Sequence, residues 1–195
     1  MIRDTAEEVL QIVQKSPPRT KQQAHGWLKK VWHAILPHVD PCEMAMRSLP
    51  ADYLPHMTKP QKEEFTDIYS RLLMQGYSLA LDRYSRNTRF RVVYDEENIE
   101  GYYAHVKSRL ITPSAEYAIS YRLYHDGEKW LIYDVSYDAV SQVENFRAQL
   151  ERIGRKFSYD YEHLRKRIKE RLKPGLKHLP IPQVKMRLWG ICQRS

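Results

Sequence analysis

Apolar positions recur at helical spacing as far as Tyr84, alternate with polar ones through the middle of the chain, and return to helical spacing after Asp138. Thr5 and Glu8 form a capping-box pattern ahead of Ala6, Val9, Leu10 and Val13, which predicts a short first helix stopped at Ser16-Pro17-Pro18. A second stripe, Ala24, Trp27, Leu28, Val31, Trp32 and Ile35, runs to Pro37. Asp40-Pro41 reads as an N-cap followed by a first-turn proline, opening a brief third helix that ends near Leu49-Pro50. Thr58-Lys59-Pro60-Gln61 starts the longest periodic segment, with Phe65, Ile68, Tyr69, Leu72, Leu73, Tyr77, Ala80 and Tyr84 on a broad aromatic face.

From Arg89 the period falls to two residues. Four strands are predicted: Phe90 to Tyr94, Tyr102 to Thr112, Ala115 to His125 and Lys129 to Tyr137. Asp126-Gly127 is a tight-hairpin signal that makes the last two antiparallel neighbours. Tyr117, Ile119, Tyr121 and Leu123 share one face while Ser120 and Arg122 take the other, as in a sheet covered on one side. Val140, Val143, Phe146, Leu150 and Ile153 then mark a helix that packs back. After a break near Ser158, Tyr161, Leu164, Ile168 and Leu172 mark another, ended by Lys173-Pro174-Gly175. The expected architecture is therefore α+β: N-terminal helices, a four-stranded antiparallel curved sheet and C-terminal helices. It forms one domain over 1–172 with an extended basic tail over 173–195.

Composition sharpens this picture only in places. The 195 residues carry a formal charge of +8, but ten Lys or Arg and one acid lie from Arg165 onward, giving +9 there and −1 over the rest. A neutral body argues against a fold-wide nucleic-acid groove, and a basic tail suits either a solvated end or contact with anionic headgroups. No stretch of about 18 apolar residues occurs, so no span of a bilayer is predicted and a soluble protein is expected. The start, Met1-Ile2-Arg3-Asp4, has no leader pattern, which leaves either a cytoplasmic protein or a mature-length chain with an added Met. Cys42 and Cys192 lack metal-ligand spacing; whether they pair is not fixed by the sequence.

No nucleophile elbow, zinc-helix motif, phosphate loop or dinucleotide fingerprint is present. His105, His125 and Asp134 are the candidates for a small-molecule enzyme built on a cone-shaped, nuclear-transport-factor-2-like sheet, and they form no recognisable triad. A ligand-free protein-interaction module is a third reading. Helices with broad aromatic stripes facing one small sheet supply more apolar surface than one sheet face can cover, although such stripes also describe a closed core.

The order of parts resembles a known family. Val31-Trp32 leads to Pro37-His38-Val39-Asp40, then to the segments Phe65 to Leu73 and Tyr77 to Tyr84. The most specific match is Trp130-Leu131-Ile132-Tyr133-Asp134-Val135 followed by Ser141, Asn145-Phe146-Arg147 and Gln149. This is similar to the Trp-x-x-Tyr-Asp-Val strand, Ser and Asn-Tyr-Arg-x-Gln-Phe helix of the MlaC/Ttg2D (toluene-tolerance) family. Val140, Gln142 and Leu150 stand where that family more often has Gly, an apolar residue and Phe.

The resemblance implies a periplasmic phospholipid-binding carrier, not an enzyme, that serves outer-membrane lipid asymmetry and solvent tolerance. It would exchange glycerophospholipid with an inner-membrane MCE-domain/ABC transporter complex and an outer-membrane lipoprotein complex, with no cofactor or metal and no nucleic acid. It also favours an apolar cavity over a closed core. The expected acyl-chain contacts are Phe65, Ile68, Leu72, Leu73, Tyr77, Phe90, Val92, Val106, Tyr117, Ile119, Tyr121, Ile132, Val143, Phe146 and Leu150. Arg147 and Lys107 are expected at the headgroup, with a structural pair to Asp134 as the other role for Arg147.

Overall fold

The structure is a computed structural model that describes residues 1–15, 21–85 and 90–172, except for the side chains of 14–15, 21–22, 24–25 and 77–85. The Pro17-Pro18 break, the Lys173-Pro174-Gly175 stop, the 173–195 tail and Cys192 lie outside these residues. Six helices are described: α1 (Ile2–Lys15), α2 (Lys21–Ile35), α3 (Pro41–Ser48), α4 (Lys59–Ser85), α5 (Gln142–Lys156) and α6 (Tyr161–Glu170). The strands are β1 (Arg91–Glu100), β2 (Tyr103–Ile111), β3 (Glu116–His125), β4 (Trp130–Tyr137) and β5 (Val140–Ser141), in spatial order β1-β2-β3-β4-β5.

The expected α+β class and antiparallel meander are present, with five strands instead of four. The fifth is only two residues long and so carries no readable alternation. Asp138 and Ala139, both at positive φ (47° and 65°), make the two-residue turn that leads into it. Another correction concerns α1. It begins at Ile2, and the Thr5 hydroxyl donates back to the Met1 carbonyl at 3.0 Å, inside the helix instead of capping it. At Asp126 the connection is a four-residue loop closed by Asp126 N to Lys129 O at 3.0 Å, with the Asp126 carboxylate accepting from the amides of Glu128 and Lys129. The Thr58 cap is as expected: its amide donates to Gln61 Oε1 at 2.8 Å while Gln61 N donates to its hydroxyl at 3.4 Å.

The described residues gather into two compact units, those within 1–40 and 77–140, and those within 41–76 and 141–172. In the first, α1 and α2 meet through Val13, Trp27 and Val31, and the Trp27 indole donates to the Ile12 carbonyl at 3.1 Å. The sheet belongs mainly to this unit. Its covered face is built on Val106, Ile119, Leu123, Ile132 and Val135, with Met1, Ile2 and Val39 packed against it. Each such side chain contributes roughly 1.5–3 kcal/mol by leaving water.

In the second unit, α3, α5 and α6 surround the 59–76 portion of α4. Phe65, Ile68, Tyr69, Leu73 and Met74 of α4 are buried, as are Val143 and Leu150 of α5 and Leu164 and Ile168 of α6. Helix α5 is capped by Ser141, whose hydroxyl accepts from Glu144 N at 3.0 Å, and α6 by Asp160, which accepts from His163 N at 2.9 Å.

Candidate functional site on the covered face of the sheet

Strand alternation decides which side chains reach the apolar side. On β1, Val92 and Tyr94 share a parity and pair in register with Leu110 and Ser108 of β2. Ser108 lies opposite Ile119 of β3, and Val106 opposite Tyr121. The covered face therefore carries Val92, Tyr94, Val106, Ser108, Leu110, Tyr117, Ile119 and Tyr121. Among these aliphatic side chains are four hydroxyls, of Tyr94, Ser108, Tyr117 and Tyr121.

Those hydroxyls are not equally served. Ser108 is 2% exposed and its Oγ donates to the Ile119 carbonyl at 3.4 Å. Burial pushes the Tyr121 phenol up, while the neighbouring Ser108 hydroxyl pulls the other way. The Tyr94 oxygen is buried with no hydrogen-bond partner among the described residues. Burial, aided by the nearby Tyr121, raises its pKa to about 12. The Arg3 guanidinium of α1 lies 4.8 Å from the centre of the Tyr94 ring, a cation–π contact.

Helix α1 lies beside this stretch of β1. A hollow of about 350 Å³ is lined by Glu7, Leu10 and Gln11 of α1, and by Phe90, Arg91 and Val92. That volume is near the lower end of the range for ligand pockets and equals the share of about a dozen waters in the liquid.

The opposite face of the sheet is ionic. Arg109 binds Asp95 at 2.6 Å and Glu116 at 2.8 Å, and Lys107 binds Glu96 at 2.6 Å. Lys107, expected at a headgroup, thus stands on the solvated face. Arg122 reaches the buried Asp134 at 3.7 Å, and the register sets His105 opposite Arg122. His105 and Asp134 are separated by the intervening strand, about 10 Å, beyond hydrogen-bond reach. His125 accepts from Gly127 N at 3.2 Å and rests edge-on against Trp130. Among the described residues no group of His, Cys, Asp and Glu has the form of a metal site.

Of the acyl-chain candidates, the structure brings Val106, Ile119 and Ile132 into one cluster with Tyr121 against it, and sets Phe90 and Val92 at the hollow. Tyr117 is half-buried on the same face. Phe65, Ile68, Leu73, Val143 and Leu150 are buried in the second unit, where Leu72 is half-buried and Phe146 lies 4.9 Å from the Tyr69 ring. The side chain of Tyr77 is outside the described residues. Arg147 uses its Nε, at 2.8 Å, and its Nη2 on the Arg47 carbonyl, which ties α5 to the last turn of α3. Cys42 is disulfide-bonded.

Sequence reasoning passed over Tyr94, Ser108 and the α1 residues Glu7, Leu10 and Gln11. The first was recoverable, since Phe90, Val92 and Tyr94 alternate on one face. The α1 residues were not, because a helical stripe does not say which strand it will lie along.

Comparison with known proteins agrees with the fold. A family model described as MlaC protein matches residues 3–170. A solved structure of a phospholipid-binding protein from Ralstonia solanacearum, in complex with a phospholipid, superposes with a TM-score of 0.73 at 20% identity. The match covers 87% of this chain and 93% of that one. No curated protein sequence matches the chain.

Proposed function

Because the chain belongs to the MlaC family, whose model spans residues 3–170, we propose that it is a periplasmic carrier that binds glycerophospholipid reversibly. It passes lipid between an inner-membrane MCE-domain/ABC transporter complex and an outer-membrane lipoprotein complex, and performs no chemical conversion. No described helix is long and apolar enough to cross a membrane. The observation that carries the reading is the phospholipid bound to a protein of this fold. The covered sheet face and its hollow support it.

The acyl chains lie along this face, against Phe90, Val92, Val106, Tyr117, Ile119, Tyr121 and Ile132. Each methylene that leaves water contributes about 0.8 kcal/mol, so two chains hold firmly with no covalent step. Entry requires α1 to swing away from β1, as a lid does. A headgroup contact by Lys107 requires exchange of its bond to Glu96, and one by Arg147 requires exchange of its bonds to Arg47 O. Reversible binding of lipid by burial of its chains invokes no cofactor.

Organic extraction and mass spectrometry of the natively purified protein tests the reading. Near-stoichiometric glycerophospholipid is expected; protein that is lipid-free after native purification, and stays so after incubation with vesicles, contradicts it.

A further inference from the structure

The Tyr94 hydroxyl is a buried donor that no described residue accepts from. It lies on the covered face of β1, opposite Ser108, whose hydroxyl donates to the Ile119 carbonyl and neighbours the Tyr121 phenol but makes no hydrogen bond with Tyr94. The Arg3 guanidinium stands at its ring face, not at its oxygen-bonding position. Among the described residues the oxygen has no hydrogen-bond partner. A buried hydroxyl left in this state destabilises the empty protein, so a ligand that supplies an acceptor recovers the loss on binding.

We propose that the Tyr94 hydroxyl is a ligand-binding group that donates a hydrogen bond to an ester carbonyl oxygen of the bound glycerophospholipid. This rests on the phospholipid-carrier reading above. Hydrocarbon tails have no acceptor. A phosphate has several, but an ionised group among Val92, Val106 and Leu110 is far costlier to bury than a neutral carbonyl. The ester carbonyl is the neutral acceptor that enters an apolar site together with its chain.

The spacing agrees with this. Val92, at the hollow, is two residues back on the same face, about 7 Å along the strand. A carbonyl held at Tyr94 therefore sends the first methylenes of its chain toward that hollow. With its pKa raised to about 12, the phenol keeps its proton at neutral pH and can donate.

The test uses the full chain incubated with excess mixed vesicles holding equal amounts of diester phosphatidylethanolamine and its diether analogue, which has the same headgroup and chains but no carbonyls. Lipid retained after gel filtration is counted by mass spectrometry, for the wild type and for Tyr94→Phe. The wild type should prefer diester by roughly three- to tenfold, the worth of one hydrogen bond. Tyr94→Phe should retain the two lipids equally, and when empty should melt no lower than the wild type. An unchanged diester preference in Tyr94→Phe overturns the proposal and leaves the hydroxyl to a buried water. Equal loss of both lipids overturns it in favour of a phosphate or shape effect. A wild type that retains neither lipid overturns the carrier reading itself.

Discussion

The phenol of Tyr124 donates to the carboxylate of Asp40 at 2.5 Å, across 84 positions of sequence. Asp40 is 1% exposed, and its amide donates to the Ile132 carbonyl at 2.9 Å next to the parallel bridge between Val39 and Ile132. Together these bonds fix the Pro37-His38-Val39-Asp40 segment to β3 and β4, and with it the chain that returns from α1 and α2 to the covered face. Hydrogen bonds to a charged acceptor stabilise by about 1.5–3 kcal/mol. Tyr124→Phe should lose that amount in urea unfolding, and a loss near zero would show that the bond contributes nothing net.

Glu64 ties α4 to α6. Its carboxylate accepts from Arg165 at 2.8 Å, Lys169 at 2.5 Å and Tyr161 at 3.2 Å. Burial alone would raise its pKa, but the bonds from Lys169 and Arg165 outweigh burial and hold the group at about 2. A folded-state pKa below the unfolded value means that the stabilisation is complete above the unfolded pKa, 4.5, and is lost as pH falls through about 2. The carboxylate is about one-third exposed, so solvent screening reduces the effect to roughly 1–2 kcal/mol. Glu64→Gln should lower stability by that amount at pH 7 and flatten its decline between pH 5 and 2. A variant with an unchanged acid slope would contradict this assignment.

Gly154 of α5 has no room for a side chain. A Cβ there would meet two Tyr159 ring atoms at 2.5 Å and the Tyr53 ring at 3.2 Å. Tyr159 is itself fixed at φ 57° in the turn before α6, with its hydroxyl donating to Glu151 at 2.7 Å. Relief therefore requires the turn to move. Gly154→Ala should cost on the order of 1–3 kcal/mol despite alanine's better helix propensity, measured by thermal or chemical unfolding. A stabilised variant would show that the turn yields freely.

The hollow beside α1 gives a test at the site. Leu10→Trp should fill it and cut phospholipid retention at least several-fold, with the circular dichroism spectrum unchanged. Retention equal to wild type would place the acyl chains elsewhere.

The elements were legible where local chemistry and periodicity agreed. Thr58 and Gln61 marked the start of α4, and the alternation through Tyr117, Ile119, Tyr121 and Leu123 gave both β3 and its buried side. What stayed hidden was set by distant partners. Thr5 looks like a cap, yet the chain before it already supplies a helical turn at Met1. Arg147 looks like a headgroup ligand, yet a carbonyl 100 positions away accepts its hydrogen bonds. Lys107 follows Val106 and therefore points to the opposite face, a consequence of strand parity that was readable. The missing partner of Tyr94 was not, since the lack of an acceptor is a property of the folded neighbourhood.

Photo-crosslinking tests most directly whether lipid occupies the covered face. The protein would be loaded with a phospholipid bearing a diazirine within one acyl chain, irradiated, digested and mapped by mass spectrometry. Adducts should concentrate at Leu10, Val92, Tyr94 and Leu110. Adducts confined to Lys107, Arg109 and Arg122, on the ionic side of the sheet, would contradict the account.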